Sequence, residues 1–148
     1  PNIEGVEWFA EAILPLIRRE LPDCTLAVVG RKPTPAIEAI GRRIPGVTIT
    51  GTVPDVRPWL HEARLAIVPL RIGGGTRLKI YEAMAARVPV VSTTIGAEGL
   101  EYRDGETIAI ADSPETFARR CVALLMDPDQ ARRQASAAFD LVQSRYSW

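Results

Sequence analysis

Leu65-Ala66-Ile67-Val68-Pro69-Leu70-Arg71-Ile72-Gly73-Gly74-Gly75-Thr76-Arg77-Leu78-Lys79-Ile80-Tyr81-Glu82-Ala83-Met84 runs from an apolar stretch through three glycines into a segment of helix formers. Leu65 to Pro69 has the length and near-continuous apolarity of a parallel strand covered on both faces. The glycines carry no side chains, so a ligand can approach their backbone closely. The free N–H groups of a helix starting at Thr76 then favour an anion, most naturally a diphosphate. In open α/β sheets, ligands bind where such a strand ends.

The same alternation extends outward in both directions. Val6, Phe9, Ile13, Leu16 and Ile17 recur every three or four residues, which predicts an amphipathic helix over Val6–Glu20 with Pro15 as a point of bending. Strands are expected at Cys24–Val29, closed by Gly30, and at Val47–Thr50, closed by Gly51. Helices are expected at 35–43 and 54–62. Beyond the glycines, strands follow at Val88–Ser92 and Thr107–Ala111, and helices run from Ser113-Pro114 through Met126 and from Pro128 to Arg145. Ser113 before Pro114 joins a capping side chain to a proline at the first helical position. Strand and helix alternate about five times, which predicts an α/β fold, a Rossmann-like three-layer sandwich with a mostly parallel sheet. Residues 1–148 read as one domain.

Eighteen basic and eighteen acidic residues cancel, so net charge gives no reason to expect a nucleic-acid partner. Local charge must recognise any anion. Cys24 and Cys121 lie far apart in sequence with neither disulfide nor metal spacing, and the single histidine, His61, adds no zinc pattern. A reducing, cytoplasmic setting is the expectation. No apolar run approaches the roughly 20 residues that cross a bilayer.

The candidate chemistry gathers around the glycines. Arg77 offers a planar fork to phosphate oxygens and Lys79 a movable point charge. Two residues apart on a helix, they cannot share a face, so they reach a ligand from different sides or only one reaches it. Leu78 stands between them. Glu82 can accept two hydroxyls of a ribose, or pair with Lys79 at i,i+3. Thr93-Thr94-Ile95-Gly96-Ala97-Glu98-Gly99 follows the next strand and presents Glu98 at the same sheet edge, as a ligand contact or as an ordinary surface acid. Gly51-Thr52-Val53-Pro54-Asp55 is a third turn, where backbone at Val53 can read a nucleobase edge and Asp55 is better read as a helix cap. His61 sits late in a short helix beside no nucleophile, so packing or compensation of the helix dipole explains it. Trp8, Phe9, Tyr146 and Trp148 are expected to pack together near the termini, the alternative being that they face a further domain. The glycines fit neither a Walker A element nor a dinucleotide fingerprint.

Pro1-Asn2, Trp8-Phe9, Val53-Pro54-Asp55, Gly75-Thr76-Arg77-Leu78-Lys79, Glu82-Ala83-Met84-Ala85 and Tyr146-Ser147-Trp148 form a set. With the strands around them, this set resembles the C-terminal, nucleotide-sugar-binding domain of family 4 retaining glycosyltransferases, one half of the GT-B fold. It resembles in particular the bacterial sugar transferases of exopolysaccharide assembly.

The resemblance implies a domain lacking its first strand and the N-terminal acceptor domain, which is then a partner. Glu82 matches the second glutamate of the family's paired-glutamate motif and would hold the donor ribose. The first glutamate falls at Gly74, a departure that leaves the sugar contact to backbone around Gly74 and Gly75 or to another side chain. The implied donor is a UDP- or GDP-linked sugar, and Gly30, Val53, Gly73, Gly74, Gly75, Thr76, Leu78, Glu82 and Glu98 line its site. Arg77 and Lys79 stabilise the leaving diphosphate, with no cofactor and no metal. The implied acceptor is a hydroxyl, a lipid-linked one included, in a cytoplasmic protein that can sit at the inner membrane's surface. An isolated domain would turn over little. A sugar-nucleotide epimerase of the same plan and a non-catalytic nucleotide-binding module are the alternatives.

Overall fold

A computed structural model describes residues 2–30, 32–73 and 77–146 of the chain. The first helical segment comprises α1 (Asn2–Trp8), a π-helical turn (Phe9–Ile13) and α2 (Leu14–Glu20). In the π turn the Leu14 N–H donates to the Phe9 carbonyl, five residues back. Pro15 follows at once and has no N–H to give to the ladder, and the widened turn is how the helix accommodates it. The bend expected at Pro15 takes this form.

The remaining elements are β1 (Leu26–Val29), α3 (Pro35–Arg43), β2 (Val47–Gly51), α4 (Arg57–Glu62) and β3 (Ala66–Val68). They are followed by α5 (Arg77–Ala85), β4 (Val90–Ser92), β5 (Ala109–Ile110), α6 (Pro114–Met126) and α7 (Pro128–Tyr146). Every predicted strand is present, with β1, β3, β4 and β5 shorter than the apolar runs that announced them. Pro69 ends β3 and Pro89 precedes β4, and neither can donate to a ladder. Helix α4 begins at Arg57 rather than Pro54.

All the described pairings between named strands are parallel, as predicted, but the strands form two groups: β1–β2, and β3–β4–β5 with β4 central. Leu26 pairs with Val47, Ala66 with Val90, and Val91 with Ala109. Both groups rest on one apolar cluster. Val28 and Ile49 from the first and Ile67 and Val91 from the second meet Ile13, Ile17 and Phe117 there. The opposite face of β4 meets a second cluster through Val90, packed with Ile80, Met84, Ile108 and Ala138. Alternate residues of one strand facing two helical layers make the three-layer sandwich the sequence predicts.

Trp8 and Phe9 pack against α6. Both meet Phe117 edge-on, with ring centroids 6.1 and 5.9 Å apart. Their position on the first helical segment turns them toward α6, while α7 packs on α5 and α6. Trp148 and the Tyr146 side chain lie outside the described residues.

Caps fix several helix ends. Thr34 Oγ1 accepts from the Ile37 N–H, and Ser113 forms a capping box with Thr116. Helix α5 ends in a Schellman motif: Val88 N–H donates to the Ala83 carbonyl and Arg87 N–H to that of Met84. Arg87 occupies the left-handed position at φ 61°. Its guanidinium lies 3.9 Å from the Phe139 ring centroid, which offsets part of the backbone cost.

Candidate functional site

Each predicted contact residue before α5 follows the carboxyl end of a strand. Gly30 closes β1, and its N–H donates to the Gly51 carbonyl at 3.4 Å. Val53 follows β2 and is half-buried. Gly73 lies beyond β3 at φ 89°, in the left-handed region that favours glycine. Gly74, Gly75, Thr76 and the Arg77 side chain lie outside the described residues, as does any contact they make.

Helix α5 begins at Arg77, close to the predicted start. Ile80, Ala83 and Met84 are buried and form its inner face. Leu78, Lys79 and Glu82 lie on the opposite, exposed side, with Leu78 at 71% exposure. At 100° per residue the three fall within one sector of about 100°, so the helix presents an apolar group, a cation and a carboxylate together. Neither Lys79 nor Glu82 has an ion-pair or hydrogen-bond partner among the described residues, which removes the i,i+3 pair as the explanation of Glu82.

A bonded network that the sequence reading did not anticipate joins the loops after β3, β4 and β5. The buried Thr93 hydroxyl donates to the Leu70 carbonyl and accepts from the Gly96 N–H at 3.0 Å. Thr94 donates through its N–H and its hydroxyl to Asp112, at 2.8 and 2.7 Å. A Cβ on Gly96 would stand 2.6 Å from Ser92 Oγ and 2.8 Å from Val68 Cγ1, so only glycine lets this turn settle on the end of β3. The tight geometry read for Gly96 is therefore required, while Glu98 on the same turn is exposed. Leu70, Arg71, Thr93, Thr94, Ile95 and Asp112 line a cleft of ≈ 400 Å³ at this edge. Two threonines directly after a fully buried strand were the available signal.

Arg71, which opens the glycine-rich segment, is held from two sides. It pairs with Glu4 Oε1 through Nε at 2.7 Å and also through Nη2, and its guanidinium lies 4.6 Å from the Trp8 ring centroid. The base of the loop is thereby fixed to α1.

The remaining ionisable residues have structural roles. Asp55 accepts from the Arg57 N–H at 3.0 Å and pairs with its guanidinium, which holds the carboxyl below its usual range. It is not the helix cap predicted for it: the N-cap is Val56, which makes no side-chain cap bond, and Asp55 stands one residue before it. His61 is exposed in the last turn of α4, placed to compensate the helix dipole rather than to pack. Asp104 accepts from the Ile110 N–H and pairs with Arg120. Cys121 is buried, and burial pushes its thiol up to about 12. Cys24 precedes β1 instead of lying within it. Among the described residues no three His, Cys, Asp or Glu side chains gather to hold a metal ion. No described helix is long and apolar enough to cross a membrane.

The described strands and helices form a parallel α/β sandwich in which β3 precedes the glycine-rich segment and α5 follows it. Residues 1–127 match the family of glycosyl transferases group 1, and the chain belongs to it. A curated relative, an uncharacterized 44.6 kDa protein in the cps region of Klebsiella pneumoniae, is 26% identical over 152 residues, covering 98% of this chain and 39% of its own length. The chain thus spans about two fifths of that relative. The solved C-terminal domain of LpcC, a glycosyl transferase group 1 family protein from Francisella tularensis, superposes with a TM-score of 0.82 at 21% identity. That alignment covers 99% of this chain and 81% of the domain. S. aureus TarM, solved in a complex that includes UDP, aligns with a TM-score of 0.79 at 18% identity over 96% of this chain and 30% of its own. The fold is one Rossmann-like half of the GT-B architecture.

Proposed function

We propose that the full-length protein is a retaining glycosyltransferase that moves a sugar from a nucleoside diphosphate to a hydroxyl acceptor in polysaccharide or glycolipid synthesis. The observation that carries this reading is the pair Lys79 and Glu82, without partners among the described residues, on the exposed side of the helix that follows the glycine-rich segment. An exposed carboxylate of this kind can accept both ribose hydroxyls. As the glycosidic bond breaks, negative charge grows on the leaving diphosphate. Arg77, Lys79 and the start of α5 stabilise it, with the backbone at Gly73, Gly74, Gly75 and Thr76 cradling the phosphates. Gly30, Val53, Leu78 and Glu98 complete the donor site, and no metal is needed.

UDP in the TarM complex favours a uridine nucleotide, and the cps-region relative favours bacterial polysaccharide assembly. Family relatives longer than this chain favour a second, N-terminal acceptor domain and a strand ahead of α1. That domain would close the cleft, exclude water and align the acceptor, so the donor half alone would turn over little.

Calorimetric titration of the full-length protein with UDP, GDP and ADP tests the reading. One diphosphate should bind, and Glu82→Ala should weaken it roughly 10- to 100-fold, the scale of hydrogen bonds to a charged group, with the melting temperature unchanged. A folded protein that ignores all three at millimolar concentration, or a Glu82→Ala variant that binds as well as the parent, would contradict it.

A further inference from the structure

We propose that the cleft over the ends of β3, β4 and β5 holds the transferred sugar of the donor, and that Asp112 reads its hydroxyls and selects a neutral sugar over one bearing a carboxylate. The proposal rests on the donor-site reading above and adds to it the class of the sugar.

The cleft begins where the diphosphate cradle begins. Arg71 lines it, and Gly73 stands two residues further along the chain, so the two lie no more than about 7 Å apart. A group attached to a diphosphate over the glycine-rich segment enters the cleft by extending across β4 toward Asp112, which follows β5. The volume of ≈ 400 Å³ falls within the roughly 300–1,000 Å³ of small-ligand sites. Leu70 and Ile95 supply an apolar wall for the C–H face of a ring.

The polar groups of the cleft are few and fixed. Thr94 donates to both oxygens of Asp112, its N–H to Oδ1 and its hydroxyl to Oδ2. A carboxylate has about four acceptor sites, so each oxygen keeps one for a ligand. Two oxygens held side by side in this way suit two neighbouring hydroxyls of a sugar ring. At the β3 end, Arg71 gives Nε and Nη2 to Glu4 and stacks on Trp8, which leaves Nη1 with no partner among the described residues. Donor and acceptor are both set before a ligand arrives, so binding pays little for ordering them.

Charge then decides which sugar. Glu4 offsets the Arg71 guanidinium, whereas Asp112 has no ion-pair partner among the described residues, Arg120 being taken by Asp104. The lining is therefore negative on balance. A neutral sugar meets only hydrogen-bonding groups, while a uronate brings a second carboxylate against Asp112, and like charges at close range repel.

Calorimetry on the full-length protein tests the proposal with UDP, UDP-glucose, UDP-galactose, UDP-N-acetylglucosamine and UDP-glucuronate. GDP, GDP-mannose and GDP-mannuronate take their place should GDP be the diphosphate that binds. A neutral sugar nucleotide should bind more tightly than the uronate. Asp112→Asn keeps the shape and removes the charge, so it should weaken that neutral ligand roughly 10-fold. The same variant should strengthen the uronate about 3-fold and leave the bare diphosphate unchanged. Opposite shifts for the two sugars are a response that a merely structural Asp112 would not give. Thr94→Val frees Oδ2 while keeping the backbone bond, and it should weaken the neutral ligand by a smaller factor; it carries the test if Asp112→Asn does not fold. Sugar nucleotides that shift together with the bare diphosphate, or not at all, would overturn the proposal and leave the diphosphate site standing. So would a parent protein that prefers the uronate. A folded protein that binds no diphosphate would remove the donor-site reading and this proposal with it.

Discussion

The two strand groups are built from similar apolar strands and end up differently supported. Around β4, Val91 faces the cluster of Phe117 and Val90 faces that of Met84, so both sides of the strand are covered. Around β1, Val28 packs on the shared cluster while Ala27 remains exposed. Strand apolarity is thus fully used at β4 and partly used at β1. The glycine-rich segment and α5 follow β3, whose three residues are half-buried beside the fully buried β4, and the loop ends of this group are tied by Thr93, Thr94 and Asp112. A rigid support there is what a phosphate-holding backbone needs, because its N–H groups must already point at the anion.

Cavity formation sharpens the contrast most. Val91 is fully buried in β4, and Val91→Ala should cost about 2–3 kcal/mol in denaturant unfolding. Val28→Ala, in the half-exposed strand, should cost about 1 kcal/mol. Equal losses would break the distinction between the strand groups. A smaller effect lies at the end of α5. Arg87→Ala loses the Phe139 contact and keeps the left-handed backbone, whereas Arg87→Gly loses the contact and relieves the strain. The glycine variant should therefore be more stable than the alanine variant by about 1 kcal/mol. Alanine matching glycine would mean that the φ of 61° costs nothing.

Periodicity made the elements legible. Val6, Phe9, Ile13 and Ile17 place the first helical segment, and Ser113-Pro114 marks the start of α6. What sequence did not reveal was set by contacts between distant segments. The partner of Trp8 and Phe9 is Phe117, more than a hundred residues on, and apolar spacing within a helix says nothing about which element it meets. The split of the strands into two groups was equally hidden, because β1 and β3 read as ordinary buried strands whether or not a neighbour lies between them. The place of Glu82 on α5 was legible because its motif is local. The Thr93 and Asp112 network was not, since it depends on three loops meeting.

A crystal structure of the full-length protein with UDP measures the central claim directly. The diphosphate should lie over the backbone from Gly73 to Arg77, with both ribose hydroxyls on Glu82 and the base against the turn at Val53. A nucleotide bound away from the glycine loop, or a ribose that leaves Glu82 untouched, would contradict it.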